Sequence, residues 1–222
     1  MVTINEIINN RYIEDFLPEK RVSLENISWQ GYEQILKALG ENRATRVHYY
    51  QGILEIMTPL EAHESCSENI GILIHILTEE LNLNIKSLAS TTLKIPNKKT
   101  GAEPDKCYYI TNEPIVRGKT VNLNQDPPPD LVLEVDITNA DINKKKLYQE
   151  MKIPEFWRYN GKLLTIYILD EQEYQKSEIS PTFPILTKAI VYEFISQCRT
   201  SGETQAKREL RNQIRELLQE SK

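Results

Sequence analysis

The stretch PPPDLVLEVDITNADINKKKLY, Pro127 to Tyr148, decides how this chain is read. Side chains on a strand alternate between faces, so Asp130, Val132, Glu134 and Asp136 share one face, and Leu131, Leu133 and Val135 share the other. The Leu and Val run predicts a central strand buried on at least one face. A carboxylate within such a strand is costly unless a cation, a hydrogen-bond donor or a metal answers it. Glu134 is therefore the most informative residue of the chain, whether a core lysine or arginine or a metal answers it. Asp130 fits a strand-opening residue, and the triplet Lys144 to Lys146 follows closely. Carboxylates and lysines this near one another are the raw material of a metal-dependent phosphodiester site.

Working outward, Asp141 is a candidate cap for a helix in which Lys144, Tyr148 and the neighbourhood of Lys152 fall on one stripe. Lys144, at its start, can reach back over the strand, whereas Lys145 and Lys146 point elsewhere. Beyond it, IPEFWRYNGKLLTIYIL reads as two strands joined at Asn160-Gly161, and a last strand is expected near Ile190 to Phe194. Upstream, Pro104-Asp105 opens a short β run, Cys107 to Ile110, followed by a loop to Asp126. Ile85 to Ile95 suggests one strand, and Lys98, Lys99, Thr100 and Gly101 a loop.

TRVHYYQGILEIMTP alternates as a hairpin does, with Gln51-Gly52 as its turn. EAHESCSENIGILIHILTEELNL then reads as a long helix with Ile70, Leu73, Ile74, Leu77 and Leu81 on its apolar face. His63, Glu64, Ser67 and Glu68 lie in its first turns. They are either a solvated end whose acids suit the helix dipole or the edge of an adjoining acidic site. His75 reads as a core or boundary histidine. Ser28 caps a predicted helix, WQGYEQILKAL, that Gly40 stops. The expected organisation is an arm over 1–27 with no functional content, a main domain over 28–200 and a charged helix over 201–222. That helix carries Leu210, Ile214, Leu217 and Leu218 and would dock on its own domain or build a homodimer.

Composition bounds the function. The 222 residues are 40% hydrophobic and 27% charged, enough for one sizeable core. A net charge of −5 excludes a bulk polyanion binder, so any nucleic-acid surface must come from local lysine clustering. Cys66, Cys107 and Cys198 are widely spaced with no CxxC pair, which disfavours a disulfide framework and a structural zinc site. No basic leader opens the chain, and the apolar run Ile70 to Leu77 is too short to span a bilayer. A cytoplasmic protein with no membrane segment is expected.

In order, the chain offers a helix bearing His63 and Glu64, a strand opened by Pro104-Asp105, a strand bearing Glu134 and a helix bearing lysines. This resembles the PD-(D/E)xK nuclease superfamily and, within it, the Uma-two family of restriction endonucleases. The segments that carry the likeness are YYQGILEIMTPLEAHE, GAEPDKCYYI, PPPDLVLEVDIT and KKKLYQEMKIPEFWRY, over about 28–170. The resemblance implies a restriction-endonuclease-like α/β core, a central mixed sheet flanked by helices. It implies a DNA endonuclease in which Asp105, Glu134 and the main chain at Val135 hold Mg²⁺ or Mn²⁺. Glu64, or Glu68, would complete the acidic cluster.

Two positions depart from the pattern. The superfamily's lysine two residues after the acid is Asp136 here, and Lys144, four residues before Tyr148, looks like a migrated replacement. Lys152 stands where the family has a glycine. Asp136 would bind a second metal or pair with a lysine. His63 would serve as a phosphate contact or support a ligand, and substrate contacts would come from Lys94, Lys98, Lys99, Lys119 and Lys145, whose clustering would offset the global acidity by counterion release. The competing reading is a non-catalytic nucleic-acid-binding or assembly protein that keeps the nuclease fold.

Overall fold

A computed structural model describes residues 19–138 and 140–220. The weak helical period expected before Pro18 lies outside them. In chain order the elements are β1 (Lys20–Leu24), α1 (Trp29–Leu39), β2 (Arg46–Tyr50), β3 (Ile53–Thr58) and α2 (Glu61–Glu80). Then come β4 (Lys86–Ala89), β5 (Leu93–Ile95), β6 (Thr100–Ala102), β7 (Lys106–Tyr109), β8 (Leu131–Val135) and α3 (Lys144–Glu150). The series ends with β9 (Glu155–Tyr159), β10 (Leu164–Asp170), β11 (Glu173–Ser177), α4 (Lys188–Thr200) and α5 (Glu203–Glu220).

The strands form two sheets of order β1-β3-β2-β6-β5 and β11-β10-β9-β8-β7-β4. All pairings are antiparallel except β8 with β9. That pair is parallel because α3 supplies the crossover that a parallel connection needs.

Strand β8 is central because its two faces feed two cores. Leu131, Leu133 and Val135 pack with Ile70, Leu73 and Leu77 of α2 and with Phe194 of α4. Val132 packs with Leu147 and Tyr148 of α3, Phe156 of β9, and Leu93 and Ala102 of the first sheet. The period-2 alternation thus places the acids of β8 on the side where the two sheets meet. A smaller cluster holds α1 over Val47, Tyr49 and Leu54. Gly101 is what permits this approach, since a Cβ there would sit 2.1 Å from the Tyr32 hydroxyl oxygen.

Several local expectations hold. Ser28 caps α1 by accepting from Gly31 N, and Gly40 ends it at φ 72. Gln51 and Gly52, at φ 50 and 83, make the tight turn between β2 and β3. Others are corrected. The segment expected as one strand over 85–95 is two strands in different sheets, split at Ser90 with φ 50. Thr100 and Gly101, expected in a loop, belong to β6.

Helix α3 is capped not by Asp141 but by Asn143, whose side chain accepts from Lys146 N. The strand expected near Ile190 lies within α4: Thr187 caps it, and Ile190, Val191, Phe194, Ile195 and Cys198 recur at helical spacing. Helix α5 docks on its own chain, placing Ala206, Leu210 and Ile214 in the main core. His75 is exposed, its ring edge against Tyr108. The three cysteines are free and buried. No helix among the described residues is long and apolar enough to cross a membrane.

Candidate active site

The pairing of β7 with β8 runs Lys106↔Leu133 and Cys107↔Val132, and its continuation brings Asp105 alongside Glu134. Asp105 Oδ2 accepts from Val135 N at 2.7 Å, so what Val135 gives the site is its N–H. Asp105 Oδ1 lies 2.8 Å from His63 Nε2 and 3.1 Å from Arg46 Nε. Glu134 is fully buried. Its Oε2 accepts from Lys144 Nζ at 2.7 Å; its Oε1 meets His48 Nε2 at 3.1 Å and the Tyr148 hydroxyl. Lys144 also donates to Asp136 Oδ1 at 2.7 Å. Of the two roles open to Asp136, the pairing with a lysine is the one seen here, shared with Arg21 at 3.0 Å and Arg158 at 2.9 Å.

The first sheet turns a charged face to these acids. On β2, Val47 and Tyr49 face α1, so Arg46 and His48 face the site. On β3, Glu55 lies opposite His48 and accepts from Arg21 Nη1 at 2.8 Å. Arg21 also holds Glu19. Glu19 Oε1 lies 2.7 Å from His63 Nδ1, and Glu19 Oε2 accepts from Thr138 Oγ1 at 3.0 Å. The end of the arm assigned no functional content therefore supplies two members of the centre. Sequence reasoning missed Glu19 and Arg21 because nothing local marks them. It missed Arg46 and His48 although the alternation of β2 carried a signal: polar residues opposite a buried apolar face.

Of the expected site residues, Asp105, Glu134, Lys144, Val135 and His63 converge. Glu64 stands at the rim, its side chain 51% exposed and paired with Arg46 at 2.9 Å. Glu68 is drawn off by Lys106 at 2.7 Å. His63 cannot act as a substrate contact in this arrangement, because it is fully buried and both ring nitrogens are engaged. Lys98 donates to the Glu150 carbonyl at 2.5 Å, Lys99 sits exposed at φ 50, and Lys145 lies 5.4 Å over the Tyr167 ring. Lys94 faces Glu33 at 3.9 Å, and Lys119 meets Asp126 at 2.5 Å. Lys94, Lys98, Lys119 and Lys145 are thus engaged away from the acids. A cleft of about 600 Å³ lined by Arg43, Arg46, Glu64, Ser90, Thr92 and Glu103 adjoins the centre at Arg46.

Burial and charge set the protonation states. Burial alone would raise Glu134, yet Lys144 and His48 hold it far below the usual carboxylate range. Burial would lower Lys144, but Asp136 and Glu134 raise it, so it stays an ammonium. Burial and the Glu134 charge push Tyr148 well up, keeping it a donor. Burial opposes the His63 cation, but hydrogen bonds to Asp105 and Glu19 raise it to about 9. Burial likewise opposes the Glu19 anion, and His63 and Arg21 bring it down to about 2.

Every oxygen of Asp105 and Glu134 therefore already accepts from a cation, an N–H or an O–H. The carboxylates Glu19, Glu55, Asp105, Glu134 and Asp136 meet Arg21, Arg46, Arg158, Lys144 and imidazolium His63 one for one. Among the described residues, no group of three or more His, Cys, Asp or Glu is set to hold a metal ion. As arranged, these residues do not fit a divalent cation.

The comparisons with known proteins agree on the fold. The profile of the Uma2 family, described as "Putative restriction endonuclease", matches residues 29–196. The chain belongs to the Uma2 family. A crystal structure of "a putative nuclease belonging to DUF820 from Anabaena variabilis ATCC 29413" matches this Uma2 chain with a TM-score of 0.50 at 14% identity. The match covers 76% of this chain and 99% of the other. No curated protein matches it. The α/β architecture is restriction-endonuclease-like, and β1 lies outside the matched range of the family.

Proposed function

We propose that this Uma2 protein is an endonuclease that hydrolyses phosphodiester bonds in DNA, with Asp105, Glu134 and Lys144 at its centre. The observation that carries the reading is the position of Lys144. Coming from α3, it places its ammonium 2.7 Å from Glu134 Oε2, supplying the positive charge that Asp136, just past the end of β8, cannot. Held protonated by Asp136 and Glu134, it is suited to stabilise negative charge developing on a phosphate in a site shielded from water. His48 and Tyr148 fix the Glu134 carboxylate, and His63 fixes that of Asp105.

The cleft at Arg43, Arg46 and Glu64 is the route by which DNA approaches, with Lys98, Lys99 and Lys145 as outlying phosphate contacts. The family resemblance implies Mg²⁺ or Mn²⁺, hard cations that take oxygen ligands. The test is cleavage of plasmid DNA with either ion. Asp105→Ala and Glu134→Gln should abolish it in folded protein, and cleavage that survives both changes would overturn the reading.

One observation favours a second reading, that of a DNA-binding or assembly protein that does not cut. The centre cancels its own charge, one cation for each carboxylate. Salt-sensitive DNA binding with no metal-dependent product would establish that alternative.

A further inference from the structure

The cleft beside Arg46 has donors that its own acceptors do not use. Arg43, Thr45 and Arg46 line it, and each holds a buried donor that meets no acceptor among the described residues: Arg43 Nε, Thr45 Oγ1 and Arg46 Nη1. Arg46 is only 5% exposed, so its guanidinium is a held group and not a solvated surface cation. An unanswered buried donor is costly, and a wall with three of them suits a ligand that brings acceptors and no donors. A phosphodiester group is such a ligand.

The start of α2 adds a second, independent preference for an anion. This helix runs for 20 residues from a cap position, Leu60, where no side chain answers its first N–H groups. Pro59 and Glu64, on either side of that first turn, line the same cleft. Open N–H groups and the positive end of the helix dipole favour negative charge there.

The acids of the cleft do not cancel these donors. Glu103 is answered by Arg43, by Val47 N at 2.8 Å and by Thr92 Oγ1 at 2.5 Å. Glu41 is exposed, and its charge is screened by solvent. Glu64 is the competitor: it accepts from Arg46 Nη2 at 2.9 Å, with its side chain 51% exposed. A pair this exposed adds little, and water can take the carboxylate back. Arg46 keeps its place through Nε, 3.1 Å from Asp105 Oδ1. Its Nη1–Nη2 edge is then a fork that matches two phosphate oxygens.

We infer that this cleft is a phosphate subsite: Arg46, backed by the first turn of α2, takes a phosphate of a nucleic-acid strand beside Asp105, and Glu64 holds that place until the strand displaces it. The subsite deepens the endonuclease reading and rests on it for the choice of a nucleic-acid phosphate.

The matched variants Glu64→Gln and Glu61→Gln test it. Each removes one negative charge from the exposed first turn of α2, but Glu61 does not line the cleft. Binding of a short fluorescent single-stranded oligonucleotide to the full chain is read by anisotropy in EDTA, where metal-dependent cleavage does not intrude. Glu64→Gln should tighten binding roughly 2–5-fold, what an ion pair this exposed is worth. Glu61→Gln should change it by less than about 1.5-fold. Arg46→Lys, which keeps the charge beside Asp105 and loses the fork, should weaken binding about 10-fold.

Equal gains from the two glutamate variants, or unchanged binding in Arg46→Lys, would overturn the subsite. A gain with Glu64→Gln for inorganic phosphate, titrated calorimetrically, and none for the strand would assign the cleft to a small phosphate and overturn it as well. Plasmid cleavage with Mg²⁺ or Mn²⁺ keeps the two readings apart. A selective gain with Glu64→Gln, in a protein whose wild type never cuts, would bring down the endonuclease and leave the subsite. Cleavage by the wild type with equal gains from both variants would do the reverse.

Discussion

Two Pro-Asp dipeptides open neighbouring antiparallel strands, Pro104-Asp105 at β7 and Pro129-Asp130 at β8, and both carboxylates are buried, at 1% and 8% exposure. Asp130 accepts from Ile110 N at 2.6 Å, Asn112 N at 3.0 Å and Asn112 Nδ2 at 2.7 Å. Its donors are neutral, and together they clasp the end of β7 to the start of β8. Asp105 instead meets Arg46, imidazolium His63 and one backbone N–H. The same dipeptide therefore has two outcomes. Neutral donors satisfy a buried carboxylate and fasten strands, whereas charged donors tie it into a field that chemistry can use.

Four experiments bear on that contrast, from the largest expected effect to the smallest. Asp105→Asn should reduce DNA cleavage on the order of 10²–10³-fold, the range for losing one preorganised group in a water-excluded site. Asp130→Asn should leave cleavage unchanged and lower stability by about 1–3 kcal/mol. If the two variants behaved alike in a cleavage assay and in urea, the distinction would collapse.

Lys144→Ala acts only on the charged side, leaving Glu134 and Asp136 without their shared ammonium. Urea unfolding should show a loss of about 3–5 kcal/mol, the cost of an uncompensated buried charge.

The third experiment is pH. His63 is raised from 6.5 to about 9, so its stabilising contribution is whole below pH 6.5 and is lost as pH rises through 9. Glu19, lowered from 4.5 to about 2, contributes above pH 4.5 and loses its share as pH falls through 2. The two shifts share the His63–Glu19 contact and are not summed, and stability should fall on the order of 3 kcal/mol between pH 6.5 and 9.5 as His63 loses its proton. The backbone and amide donors at Asp130 do not titrate there, so His63→Asn should flatten the curve.

The smallest effect serves as a control that touches neither aspartate. Lys152 follows α3 at φ 59, a left-handed conformation that strains a side chain. Lys152→Gly should raise the midpoint of thermal unfolding slightly, by about 0.5–1 kcal/mol of stability after the added freedom of the unfolded chain.

Much of the frame was legible from neighbours in the chain. The alternation in Leu131 to Val135, the turn at Gln51-Gly52 and the cap at Ser28 are local, and local rules read them. Ile190 to Phe194 misled because a run of Ile, Val, Tyr and Phe suits a strand as well as a buried helix. Only the cap at Thr187 and the core beneath α4 separate the two. The Asn160-Gly161 signal located a real turn, although its loop runs to Leu163, with Asn160 N donating to Leu163 O at 3.1 Å.

By itself, the sequence determined that Glu134 had to be answered, because an ionised carboxylate in an apolar strand cannot stand without a partner, and it placed Lys144 within reach. Only the tertiary structure decided which partners arrive. Arg46 and His48 come from β2, Arg21 from the edge strand β1 of the same sheet and Glu19 from the residue before it, and His63 from the first turn of α2. The contacts of Arg46, His48, Arg21 and His63 with Asp105, Glu134 and Asp136 span tens of residues in sequence, and long-range electrostatic pairing leaves no local periodicity to read. The register of β7 on β8 and the meeting of two sheets assembled the centre, and they also closed it.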